Sequence, residues 1–182
     1  MTKNAVMREV IDWTWHIAIA VLVGILVITF VGQRTIVYGN SMQPTLHTND
    51  QLIVEKLTPR FGHLKYRDIV TIYYPEQMED GRQMLIKRVI ATEGQTLEIK
   101  DGAVFVNGKQ LKEDYINGTS TMAISPEYAD LVVPKGYIYV MGDNREPGES
   151  KDSRMIGPIE LSRVKGKVIV RFYPFDRMGA VK

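Results

Sequence analysis

The 182 residues, 45% of them hydrophobic, can support one membrane segment and one compact domain, with no room for a second full domain. A net charge of +2, with no cluster in which Lys and Arg alternate with aromatics, excludes nucleic acid as a partner. With no cysteine, a disulfide, a thiolate metal site and a cysteine nucleophile are excluded. The three histidines, His16, His47 and His63, lack a metal-ligand spacing, so neither metal nor cofactor is expected.

Residues 1–12 form a short mixed-charge tail, Lys3 and Arg8 against Glu9 and Asp12, with no pattern of their own. From 13 to 31, 19 residues carry no Asp, Glu, Lys or Arg, and as a helix they would span roughly 28 Å, about the thickness of a hydrocarbon core. Trp13 and Trp15 stand where an interfacial anchor is expected, and Gln33 and Arg34 mark the far end. The run is longer than the apolar part of a cleaved signal peptide, and no small-residue cleavage site follows it. A buried soluble helix rarely runs so far without a charge. The expected division is therefore a tail (1–12), a transmembrane anchor (13–32) and a domain (33–182). Lys3, Arg8 and the terminal amine outweigh Arg34, which places the tail in the cytoplasm and the domain outside, on a single-pass protein of the cell membrane.

Beyond Gln33 the pattern changes from helical to β. Short runs rich in Val, Ile and Tyr at 34–38, 51–56, 68–74, 84–91, 96–100, 103–106, 137–141 and 165–173 predict eight strands and a mainly β domain. Asp101-Gly102 and Asn107-Gly108 are hairpin signals, since these residue types tolerate positive φ, so 96–111 is expected to be a small meander. No second helix is evident. Residues 76–83 and 115–130 are expected to be polar, mobile connections.

Three stretches carry candidate chemistry. The first is Gly39-Asn40-Ser41-Met42-Gln43-Pro44-Thr45-Leu46. Alone, it is a turn, because a serine hydroxyl needs a base before it becomes a nucleophile. The second is the run from Met84 to Ala91, where a period of two puts Leu85, Lys87, Val89 and Ala91 on one face and Arg88 on the other. A lysine among apolar neighbours has its charged form destabilised, and that is the condition for an amine with a pKa near 10.4 in water to act as a base at pH 7. The commonplace alternative is an edge lysine whose stem covers apolar surface and whose head reaches water. The third, Met141-Gly142-Asp143-Asn144-Arg145 followed by Ser150-Lys151-Asp152-Ser153-Arg154, reads equally as a polar turn or as the dense polar end of a strand that supports an active site.

With all three stretches present, in this order, the chain resembles the type I signal peptidases, the membrane-bound serine endopeptidases that remove signal peptides from exported proteins. The single amino-terminal anchor is similar to the Gram-positive form, and lysine at position 87 to the bacterial and organellar forms. The resemblance implies a coiled antiparallel β-sheet fold of the signal peptidase and LexA-like kind, with an apolar surface resting on the lipid bilayer and preprotein signal peptides as substrates. It implies Ser41 as nucleophile, Lys87 as general base and then general acid, and Ser150 as the residue that orients the amine. Arg88 with Asp143, and Asp152 with Arg154, would be structural supports. Val37, Met42, Leu46, Leu85 and Ile86 would wall shallow pockets that select small residues one and three positions before the cut. In two places the sequence departs from the family. Gly39 stands where some members carry a serine hydroxyl that contributes to the oxyanion hole, which leaves the Ser41 backbone N–H for that task. Two additional residues separate Arg145 from Ser150. The competing readings are a catalytically silent membrane-tethered β domain, against which Ser41 and Lys87 both speak, and a self-cleaving regulator, for which no internal cleavage loop or DNA-binding part is evident.

Overall fold

The computed structural model describes residues 3–27, 29, 32–62, 64–75 and 83–181. His63 and nearly all of the connection expected at 76–83 lie outside the described residues. Helix α1 (Lys3–Leu26) begins ten residues before the expected span. With no Gly or Pro in 3–12, helix propagates through the tail at one hydrogen bond per residue. Within it, Met7–Leu26 is long and apolar enough to cross a membrane, and none of it is buried against the domain.

Among the described residues twelve strands follow: β1 (Gly32–Ile36), β2 (Gln51–Glu55), β3 (Ile69–Tyr73), β4 (Met84–Thr92), β5 (Thr96–Lys100), β6 (Ala103–Val106), β7 (Lys109–Gln110), β8 (Asp130–Val132), β9 (Tyr137–Met141), β10 (Ile159–Glu160), β11 (Val164–Tyr173) and β12 (Gly179–Ala180). The larger sheet has the order β1-β2-β11-β3-β4-β9-β10, with β12 on β11, and the smaller one β7-β6-β5-β8. Their pairings are antiparallel. β11 is the spine, pairing with β2, β3 and β12, and register shifts along it add twist and let the sheet coil. Gly166 is required there by close approach, because a Cβ would run into Val54 and the Glu55 carbonyl.

All eight expected strands are present, with ends displaced by at most two residues. The meander at 96–111 is β5-β6-β7. Two one-turn helices, α2 (Leu57–Arg60) and α3 (Ser153–Ile156), were not expected.

The two sheets explain why β4 is buried without interruption from Lys87 to Ala91. One core cluster joins Leu85 and Val89 to Val70, Ile72, Ile138 and Val140. A second packs Ile90 and Ala91 of β4 and Tyr139 and Met141 of β9 against Leu97, Ile99, Val104 and Val106 of the small sheet. A register shift between Val89 and Ala91 marks the place where β4 passes from the first cluster to the second. Arg88, expected to alternate away from the apolar face, is consequently as buried as Lys87.

The segment 115–130 is not a loose connection. Asn117 N donates to Asp143 O at 2.8 Å, Thr121 N to Gly102 O at 2.7 Å and Ser125 N to Arg154 O at 2.9 Å, and Tyr115 and Thr121 are buried. It is the outer wall of the polar turn that follows β9.

Candidate active site

Strand pairing assembles the site. The β1–β2 hairpin ends in a long loop, 37–50, closed by Val37 N to Asp50 O and Asn49 N to Val37 O, both 2.9 Å. Ser41 lies in its first half. Arg88 of β4 is in register with Met141 of β9, so the turn leaving β9 begins beside Lys87 and Arg88. That turn grips the serine loop: Asn144 N donates to Ser41 O at 3.0 Å and Asn144 Nδ2 to Asn40 O at 3.2 Å. Gly142 makes the contact possible, since a Cβ there would collide with the Ser41 carbonyl oxygen and the Ser150 side chain.

Lys87 Nζ lies 2.6 Å from Ser41 Oγ. The lysine is buried, 2% exposed, between Leu85 and Val89, whereas Ser41 is only half-buried and reachable from the cleft. Burial pushes the amine down from 10.5 to about 8. The Asp152 carboxylate opposes this, the Arg154 guanidinium adds to it, and the Asp143 carboxylate opposes it again.

Two carboxylates stand behind the pair. Asp143 forms a fully buried two-point ion pair with Arg88, Nε to Oδ1 at 2.7 Å and Nη2 to Oδ2 at 2.6 Å. The Thr45 hydroxyl donates to the same carboxylate, and the Tyr115 ring lies 4.0 Å from the Arg88 guanidinium. Asp152 caps α3 by accepting from Arg154 N, and also accepts from Gly142 N at 2.9 Å, Ser150 Oγ at 2.7 Å and the Arg154 side chain at 2.9 Å. Burial alone would raise the Asp152 carboxyl, but the Arg154 hydrogen bonds and charge, Gly142 and Ser150 outweigh it and hold the group below its usual range.

Among the described residues Ser150 makes no hydrogen bond to Lys87; its hydroxyl is engaged by Asp152. The structure thus unites Ser41, Lys87, Arg88, Asp143, Ser150, Asp152 and Arg154 in one polar cluster. Val37, Met42, Leu85 and Ile86 line a cleft of about 590 Å³ that opens onto Ser41 and Lys87. Leu46 does not line it. That residue is wholly buried beneath, in a cluster with Leu52, Val54 and Val168, because Leu46 N bonds back to Met42 O and turns the side chain inward.

Gly39 has φ +80°, a left-handed backbone that a serine would adopt only with strain, which accounts for glycine at this position. Among the described residues the Ser41 N–H has no acceptor.

Sequence reasoning missed several supports. Arg145 is buried and ties Gly142 O, at 2.8 Å, to Glu113 and Thr121. Ser153 Oγ accepts from Val140 N. Arg145 and Asn144 were within reach, lying in the same dense polar turn. Glu113, Tyr115 and Thr121 were not, since nothing local ties them to it.

A serine hydroxyl beside a buried amine at the floor of an apolar cleft is the equipment of a serine hydrolase. Residues 10–173 match the family model described as signal peptidase, peptidase S26. Signal peptidase I T of Bacillus subtilis (strain 168) is 35% identical over 94% of this chain and 90% of its own length. A probable signal peptidase I-1 of Synechocystis is 35% identical over 88% and 81%, and signal peptidase I of Bacillus licheniformis 34% identical over 94% and 92%. The chain belongs to the signal peptidase family, peptidase S26.

Proposed function

We propose that this chain cleaves signal peptides from translocated preproteins with Ser41 as nucleophile and Lys87 as general base. The observation that carries the proposal is the 2.6 Å approach of Ser41 Oγ to a buried lysine amine. With the amine neutral, the serine O–H donates to Nζ; as Oγ attacks the scissile carbonyl, the proton passes to Lys87. The Ser41 N–H is free to donate to the oxyanion that forms. The charged amine then gives its proton to the leaving amine, and an ester on Ser41 remains. Water, deprotonated by the same lysine, releases the carboxylate product. Ser150 is assigned to orienting the amine in concert with Asp152, while Arg88–Asp143 and Arg154–Asp152 hold the strand and the turn in place. Val37, Met42, Leu85 and Ile86 bound a shallow apolar cleft, suited to small side chains before the cut.

In this reading 1–12 is a cytoplasmic tail, 13–32 the anchor and 33–182 the extracytoplasmic domain. The orientation rests on Lys3 and Arg8 before the span against Arg34 after it. The exposed apolar surface of α1 meets the bilayer. Full-length protein in detergent is incubated with a preprotein and the cut mapped by mass spectrometry, with Ser41→Ala as control. Cleavage after a small residue by the parent alone is expected; the same cut by Ser41→Ala overturns the assignment. Protease added to sealed protoplasts should digest the domain and spare the tail.

A further inference from the structure

The C-terminal arm reaches back to the serine loop. β11 runs on through the turn Phe175–Arg177 and returns as β12, paired with Val170 and Arg171. This brings two arginines onto the loop 37–50. Arg171 Nη1 donates to Thr45 O at 3.0 Å and to Asp50 Oδ2 at 3.1 Å, and its Nε donates to Arg177 O at 2.6 Å. Arg177 Nη2 lies 3.1 Å from Asp50 Oδ1, and its Nη1 donates to His47 Nδ1 at 2.7 Å. Asp50 is wholly buried and also accepts from His47 N.

Thr45 gives this arrangement its significance. Its carbonyl is held by Arg171, while its hydroxyl donates to Asp143 and accepts from Arg88 Nη2 at 3.3 Å. One residue is therefore fixed between the C-terminal arm and the ion pair next to Lys87 in β4. Ser41 is joined to it through the tight turn in which Leu46 N bonds Met42 O. The turn after β9 holds the loop at Asn40 and Ser41, and the arm holds it at Thr45 and Asp50, on the far side of Ser41; misplacement of a reacting group by about 1 Å can cost roughly a hundredfold in rate. Arg177 lies beyond residues 10–173, the stretch matched by the family model.

We propose that Arg171 is a positioning residue for the nucleophile: the C-terminal arm, with Arg177 in support, braces the serine loop so that Ser41 Oγ stays within reach of the Lys87 amine. The proposal rests on the Ser41–Lys87 reading above. Full-length parent, Arg171→Met, Arg171→Lys and Arg177→Gln are compared in the same detergent for kcat, KM, the pH profile of cleavage and melting temperature. Arg171→Met is expected to lower kcat about 10- to 100-fold, as for loss of a charge-assisted hydrogen bond, with KM within about twofold of the parent. The acidic limb of the profile should stay near 8, because the surroundings that set the Lys87 amine are untouched. Arg171→Lys should recover part of kcat, and Arg177→Gln should lose less than Arg171→Met, since it reaches the loop only through Asp50 and His47.

Arg171→Met leaves buried Asp50 with a single guanidinium, so the double variant Asp50→Asn/Arg171→Met, which removes the uncompensated charge, separates positioning from stability. Melting temperature regained without kcat supports the brace; both regained together overturn it. Parental kcat in Arg171→Met, or a loss confined to KM, also overturns it while leaving the dyad standing. An inactive parent overturns the dyad reading, and the brace with it.

Discussion

Replacing Lys87 with methionine exchanges a buried amine for an uncharged side chain of similar length. Burial lowers the folded amine from 10.5 to about 8, against the pull of Asp152 and Asp143 and aided by Arg154. Below pH 8 the amine is charged in both the folded and the unfolded chain, and the folded chain carries it at a cost of about 3 kcal/mol, at roughly 1.4 kcal/mol per pH unit. Between about 8 and 10.5 the unfolded chain binds a proton that the folded chain does not, so stability rises with pH across that window, and above it the cost has gone. Methionine avoids the cost and forfeits the hydrogen bond with Ser41, worth about 1 kcal/mol. At pH 7 Lys87→Met should therefore be the more stable by about 2 kcal/mol, or roughly 4 to 8 °C in melting temperature, while cleaving nothing. At pH 11 that advantage should vanish or reverse slightly. Thermal melts of the two full-length proteins in one detergent at pH 7, 9 and 11 read the difference. A variant less stable than the parent at pH 7, by a margin that does not change with pH, would refute the reasoning, because the lysine would then be charged and paired in the folded enzyme.

Two further substitutions probe the surroundings of the pair. Gly142→Ala forces a Cβ against the Ser41 carbonyl and Ser150, so cleavage should fall about a hundredfold or more with a stability loss of about 1–3 kcal/mol; parental kcat/KM would show that the contact does not place the serine loop. Arg88→Met strands the Asp143 carboxylate in the interior, and denaturant unfolding should register a loss of about 3–5 kcal/mol. Most of that loss should return in Arg88→Met/Asp143→Asn, which removes the buried charge as well.

The main strands were legible because the alternation of apolar residues in the chain reflects real burial: Leu52 and Val54 of β2, or Leu97 and Ile99 of β5, point into core clusters as the period of two requires. Strands of two or three residues, such as β7, β8, β10 and β12, are too short to carry a period, and one-turn helices such as α3 are set by a single cap at Asp152. Burial of Lys87 could be read from Leu85 and Val89. Burial of Arg88 could not, because a period of two assumes a solvent face and the fold covers both faces at that point. Leu46 was misread as a cleft wall because its place depends on the turn that points it inward, not on its nearness to Ser41. Glu113, Tyr115 and Thr121 act through contacts between distant segments, of which a local pattern holds no trace.

The central claim is that burial lowers the Lys87 amine to about 8, far enough for its neutral form to serve as the base. It is tested most directly by titrating that one amine. Lysine labelled with carbon-13 at Cε is incorporated into the full-length protein in detergent, the Lys87 signal is assigned by its absence from Lys87→Met, and its shift is followed from pH 5 to 12. A midpoint at about 8, matched by the acidic limb of kcat/KM for signal-peptide cleavage, is the expected result. A midpoint near the ordinary lysine value of about 10.4, with cleavage already at its plateau at pH 7, would contradict the account.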